Sequence, residues 1–250
     1  MQDRKLVSTG RVLRSEHGME MLDYIFAYRK FSAVKNTQDL LNASFSENTS
    51  SIYNDTVKVA YLTYNMARIR KYEDFVNYVQ PYKGLFVSDE QKAAYNKVYE
   101  ALGPFAKGKA GYNFELKDVN DKTCTLAGFK GKVVVIDVWA MWCAPCLAEK
   151  PNFSKIEEQY KDRNDITFIG ISVDGLNAIK PWKYFVKKKG WTNTELLSNF
   201  TESLFKYYGI EGIPRFLIFD REGKVVTVDA PRPSSPIFKA LIDEALAAKN

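Results

Sequence analysis

The 250-residue sequence is poor in several things, and each shortage excludes a class of protein. It holds one histidine, His17, set among charged residues. Histidine-centred catalysis and zinc sites built on several imidazoles have no material to work with. It holds three cysteines, Cys124, Cys143 and Cys146, too few to staple a chain of this length into a disulfide scaffold. No run of about 18 apolar residues occurs, so no membrane-spanning helix is encoded. The longest apolar run, 133–141, is interrupted by Asp137. Nine prolines and 14 glycines are too few for a collagenous or low-complexity chain. Met1-Gln2-Asp3-Arg4 leads into no apolar stretch of the kind a signal peptide needs.

What is present describes a globular protein. Hydrophobic residues make up 46% and charged residues 26%, and the length allows one large domain or two modest ones. The net charge is +6, with one short basic cluster at Lys187-Lys188-Lys189. Without a nucleic-acid motif such a cluster reads as a solvated face, and no nucleic-acid partner is expected.

The chain changes character near residue 108. Ten of the 15 tyrosines and none of the cysteines lie before it. Val57, Ala60, Tyr61, Tyr64 and Ala67 follow helical spacing, as do Tyr72, Phe75, Val76 and Val79 up to Pro81. Ser88 with Gln91 three residues on is a capping-box pattern. The helix it opens should bury Ala94, Tyr95, Val98 and Leu102 and end at Gly103-Pro104. Met19, Leu22, Tyr24, Ile25, Phe26 and Tyr28 suggest a further helix, and Leu40, Leu41 and Phe45 a short one. The tyrosine stripe reads as amphipathic core rather than a ligand groove. No helical repeat is detectable. Residues 105–111 (FAKGKAG) read as a linker, dividing a helical domain, 1–108, from a second domain, 109–250.

The second part alternates. Residues 114–117 and 123–126 flank Asn120-Asp121 as a hairpin. The apolar run 132–139 has the signature of a strand buried on both faces. A helix follows, then a buried strand over 166–173 and a helix over 178–189. Residues 215–219 and 224–228 form a second hairpin, and 235–248 a closing helix. The expected fold class is α/β, a mixed sheet with flanking helices, preceded by an all-α domain.

Cys143-Ala144-Pro145-Cys146 lies between a buried strand and a helix. That places Cys143 at a helix N-terminus, where free N–H groups and the positive dipole end favour a thiolate. Cys146 lies one turn on, within reach for a disulfide. Pro145 restricts the turn between them. Attack by an exposed, low-pKa Cys143 followed by resolution from a buried Cys146 is the chemistry this spacing permits. Half of a zinc site would need two more ligands, and only Cys124 and the distant His17 are on offer, so no metal is expected. Cys124, in the first hairpin, reads as a buried, inert thiol.

These residues resemble a known family. Trp142-Cys143-Ala144-Pro145-Cys146 is similar to the active-site motif of thioredoxin-fold proteins. Residues 114–126 and 129–135 resemble the hairpin and strand preceding it in the TlpA/ResA-like thiol-disulfide oxidoreductases of bacterial envelopes. The resemblance covers about 112–248 and implies a thioredoxin-like fold and a protein-disulfide reductase without cofactor. Its partners would be protein thiol or disulfide substrates and an upstream thiol electron donor. It also implies a periplasmic or envelope location, with membrane association only through a leader that this chain does not carry.

The resemblance further implies roles for single residues. Asp137, six residues before Cys143, matches the buried carboxylate that takes the proton of the resolving thiol. Glu149 matches an active-site glutamate acting on the pair through a neighbour or water. Pro151 matches a structural proline inside the helix. Trp142 would contact substrate. Ile213-Pro214 matches the cis-proline whose preceding backbone holds an extended peptide. The separation of Pro214 from Cys143 implies an inserted segment. Arg215 departs from the small or hydroxyl residue that often follows this proline, which bears on substrate preference. Two alternatives stand beside the reductase: a thiol peroxidase on the same fold, whose Pro-x-x-x-Thr-x-x-Cys setting Met141-Trp142-Cys143 does not supply, and a partner-binding module using the domain as scaffold.

Overall fold

The computed structural model describes residues 11–14, 16–22, 48–69, 72–191, 193–199 and 201–248. The chain divides into two compact units, 1–103 and 104–250. The segments expected to be helical around Tyr24–Tyr28 and Leu40–Phe45 lie outside the described residues.

In the first unit, helix α1 spans Asp55–Met66, α2 Tyr72–Tyr78 and α3 Asp89–Leu102. Asn54 caps α1 by accepting the Val57 N–H. The Ser88–Gln91 capping box at α3 is formed in both directions, satisfying two backbone donors that the helix start leaves free. Tyr95 and Leu102 are buried on α3, whereas Ala94 and Val98 are only half-buried. Among the described tyrosines of this unit, Tyr61 and Tyr95 belong to the core, whereas Tyr53 and Tyr99 are exposed; Tyr95 packs on Phe75 and Phe86 with ring centroids 5.0 and 5.3 Å apart.

The second unit is a seven-stranded mixed sheet in the order β2-β1-β5-β4-β3-β6-β7. The strands are β1 Glu115–Asp118, β2 Thr123–Thr125, β3 Val133–Trp139, β4 Ile166–Ser172, β5 Thr194–Leu197, β6 Arg215–Phe219 and β7 Val225–Thr227. β3, β4 and β5 are parallel, while β6 and β1 run antiparallel on either side of them. Helices α4 (Ala144–Gln159), α5 (Ile179–Lys189), α6 (Ser203–Tyr207) and α7 (Pro236–Ala247) complete the unit. Every residue of β3 is buried, as its unbroken apolar run requires of a strand covered on both faces. Val133 and Val135 pack with Phe153 and Ile156 of α4 and Phe238 and Ile242 of α7. Val134, Ile136 and Val138 face the opposite core with Trp182 of α5 and Phe205 of α6.

Two expectations need correction here. Residues 105–111 are not a free linker. Gly108 N–H donates to Val225 O at 2.7 Å, Val225 N–H to Lys109 O at 2.8 Å and Gly111 N–H to Gly223 O at 2.8 Å, so the segment runs along β7 as a strap. Small residues allow this approach: a Cβ on Gly111 would sit 2.7 Å from Gly223 O. Cys124 is half-buried in the short outer strand β2, not enclosed in a core. In addition, β5 and α6 form where no element was expected.

Candidate active site

Strand β3 runs directly into the cysteine pair. Cys143 is the N-cap of α4, and its Sγ accepts the Cys146 N–H at 3.2 Å. Pro145 sits in the first turn, where a missing N–H costs nothing. Cys143 and Cys146 are joined as a disulfide. The asymmetry expected between them is small in this oxidised state. Cys143 is 4% exposed and Cys146 1%, so the first cysteine is not the open group the sequence suggested. Trp142, beside the pair, is 65% exposed. The loop before the pair is held from β4: the Met141 N–H donates to the Asp174 carboxylate at 2.9 Å, and the Ser172 hydroxyl donates to it at 2.6 Å.

Register places Ile213-Pro214 next to this loop. Val138 pairs with Arg215 across antiparallel β3 and β6, so the residues before Arg215 lie alongside those after Val138. The Ile213–Pro214 bond is cis. Arg215 is engaged by Asp229 at 2.9 Å.

Asp137 is buried under α4. Lys150 Nζ lies 3.0 Å from its Oδ2, while Oδ1 has no hydrogen-bond partner among the described residues. Burial pushes the Asp137 carboxyl up to about 6; Lys150 pulls against that rise, and Glu195 and Glu149 add to it. Lys150 follows Cys146 by one helical turn, so Asp137 sits beneath the stretch of helix that carries Cys146.

Glu149 is turned elsewhere. Its carboxylate accepts the Ser234 hydroxyl at 2.9 Å, the Ser234 N–H at 3.1 Å and the Asn152 amide at 3.3 Å. These bonds tie α4 to the loop before α7. Pro151 lies within α4.

Two residues at this site escaped the sequence reading. Lys150 is buried, and its ammonium bridges Asp137 and Glu195, the latter at 2.9 Å. Burial works against the Lys150 charge, but the two carboxylates outweigh it and its pKa lies above the ordinary lysine value. The ammonium also sits 4.9 Å from the Trp139 ring and 4.4 Å from that of Trp191. Glu195, fully buried on β5, accepts the Trp139 indole N–H at 2.7 Å and the Asn193 amide at 3.1 Å. Lys150 could have been found, because it falls on the stripe Cys146, Lys150, Phe153, Glu157, the inward face of α4. Glu195 carried no comparable signal.

Residues 108–228 match the AhpC/TSA family. Thiol-disulfide oxidoreductase ResA of Bacillus thuringiensis is 30% identical over 119 residues, 48% of this chain and 66% of that protein. The Bacillus subtilis ResA is 28% identical over 134 residues, covering 54% of this chain and 73% of the relative. The chain thus spans just under two thirds of the first relative's length. A crystal structure from Bacteroides vulgatus, assigned to the thiol-disulfide oxidoreductases, superposes with a TM-score of 0.53 at 37% identity, over 57% of this chain and 98% of that one. With its mixed sheet, its cysteine pair at the start of α4 and these relatives, the chain belongs to the thioredoxin-fold thiol-disulfide oxidoreductases.

Proposed function

We propose that this chain reduces disulfides in proteins of the bacterial cell envelope, with Cys143 as nucleophile and Cys146 as resolving thiol. The observation that carries the reading is the pair's position. Cys143 caps a helix whose free N–H groups stabilise its thiolate, and a buried carboxylate lies beneath the next turn. In the reduced enzyme the Cys143 thiolate attacks one sulfur of the substrate disulfide. A Cys143–substrate disulfide forms, and the other substrate sulfur leaves as a thiolate. Asp137 then takes the Cys146 proton. The freed sulfur attacks Cys143 Sγ, closing the Cys143–Cys146 bond, and the remaining substrate sulfur departs as a thiolate that is protonated by solvent. The enzyme dithiol is oxidised and the substrate disulfide reduced. An upstream thiol donor restores the dithiol.

Trp142 and the Ile213 backbone are the proposed substrate contacts, since both border the pair. Envelope residence rests on the resemblance to envelope oxidoreductases. The peroxidase alternative is disfavoured because Ile136 and Ala140 stand where that motif needs proline and threonine. Glu149, bound to Ser234, is proposed to hold α4 in place. In an insulin-reduction assay the wild type should turn over, and Cys143→Ser should lose activity to the uncatalysed level. Persistence of activity in that variant would refute the reading. A Cys146→Ser variant should accumulate mixed disulfides with envelope proteins through Cys143.

A further inference from the structure

The buried charges on the α4 face form one unit. Asp137, Gly170 and Glu195 are in lateral register across β3, β4 and β5. Gly170 leaves a gap in the middle of this row, and a Cβ there would fall 1.9 Å from Glu195 Oε2. The Glu195 side chain thus lies across β4 toward β3. Lys150 descends from α4 and reaches both carboxylates, at 3.0 and 2.9 Å. Glu195 is itself fixed by the Trp139 indole and Asn193. A lysine this deep is a costly group unless its charge is met, and here two carboxylates meet it.

We infer that Lys150 and Glu195 are positioning residues that set the charge of Asp137, Lys150 holding it as the anion needed to accept the Cys146 proton and Glu195 dividing the lysine's charge so that the proton is still taken up. The inference rests on the reductase reading above. A carboxylate buried alone would stay protonated at neutral pH and could not serve as a base. A carboxylate sharing its cation with nothing else would be ionised but too weak a base to help a thiol. With both partners present, the Asp137 carboxyl sits at about 6, ionised at pH 7 yet close enough to titrate. The charged groups that act on Asp137 are Lys150 and, from further off, Glu149 on α4 and Glu195 on β5. Glu157, two turns further along α4, is raised by burial, with Lys150 pulling it down and Glu195 pushing it up.

The two partners therefore have opposite effects, which a purely structural role would not produce. The test uses the full-length chain with Cys124→Ser, so that only the pair reacts with the aromatic disulfide DTNB. Attack by Cys143 releases a first thionitrobenzoate, and resolution by Cys146 releases a second. The acid limb of the second phase, followed by stopped flow between about pH 4.5 and 9, reports Asp137. Lys150→Gln should move that limb up by about 1–3 pH units, and Glu195→Gln should move it down by about one. Asp137→Asn should abolish it. The Glu195→Gln side chain can still accept the Trp139 N–H, so this variant tests the inference even if Lys150→Gln does not fold. A Glu195→Gln limb that stays in place or moves up overturns the inference. So does a folded Lys150→Gln whose limb is unmoved. In both cases the reductase reading survives, provided Asp137→Asn still loses the limb. Absence of a second phase in the Cys124→Ser parent would instead defeat the reductase reading, and the inference with it.

Discussion

At the scale of single residues, burial is the dominant influence on charge. It raises Asp137 to about 6 and Glu157 to about 7, each against a partial pull from Lys150. The folded protein therefore binds protons there more tightly than the unfolded chain does. Stability from these two groups is complete below the ordinary carboxylate range and is lost as pH rises through their folded values, between about pH 4 and 7. Carboxylates lowered by cations, such as Asp243 beside Lys239 and Asp165 beside Arg163 and Arg221, lose their contribution only on acidification below about pH 4. The melting temperature should accordingly fall by several degrees between pH 4.5 and 7.5. Asp137→Asn should flatten that slope, as measured by calorimetry in parallel buffers. The cysteine pair was legible in the sequence because its chemistry is local: four consecutive residues at a strand-to-helix junction. Asp137 was legible because it breaks an apolar run. Glu195 was not, because its meaning depends on Asp137 and Lys150, 58 and 45 positions away. Only the sheet register brings them together.

Among the elements, those with long periodic patterns were readable and those formed by tertiary context were not. β3, β4, α5 and α7 follow their apolar spacing to within a residue or two. β5 is four residues long and includes a buried glutamate, so neither length nor alternation distinguishes it from a loop. It is a strand because β4 and β1 pair with it on either side. α6, five residues long, exists through the burial of Leu204 and Phe205 rather than through propensity. The close approach of β4 and β5 gives a direct prediction. Gly170→Ala should destabilise the domain by about 1–3 kcal/mol, because the added methyl overlaps Glu195 and forces it off the Lys150 ammonium. Denaturant unfolding should show that loss. Gly170→Ala combined with Glu195→Ala should recover part of it, since the second change removes the overlapping carboxylate while leaving Lys150 its bond to Asp137.

For the molecule as a whole, the boundary set by composition and the boundary set by packing differ by a few residues. Composition placed it at residue 108, where the small and basic residues look like a tether. Packing places it between Gly103 and Pro104, because 105–111 belong to the second unit. Phe105 packs on Tyr208, and the Tyr208 hydroxyl accepts the Tyr112 N–H at 2.7 Å. A fragment beginning at Pro104 should fold cooperatively and retain insulin reduction. One beginning at Tyr112 should melt several degrees lower. Loss of folding in the longer fragment would show that the first unit is required for the second. The strap has a second consequence, for behaviour in concentrated solution. A sheet has two outermost strands whose unpaired backbone groups can recruit another chain. Here one end is β2, only three residues long, and the other is β7, lined by 108–111. Neither offers a long template, so the domain is guarded against edge-to-edge polymerisation by a stretch of sequence that looks dispensable. Trimming it should expose the β7 edge and raise the tendency to aggregate, as read by light scattering against the untrimmed protein.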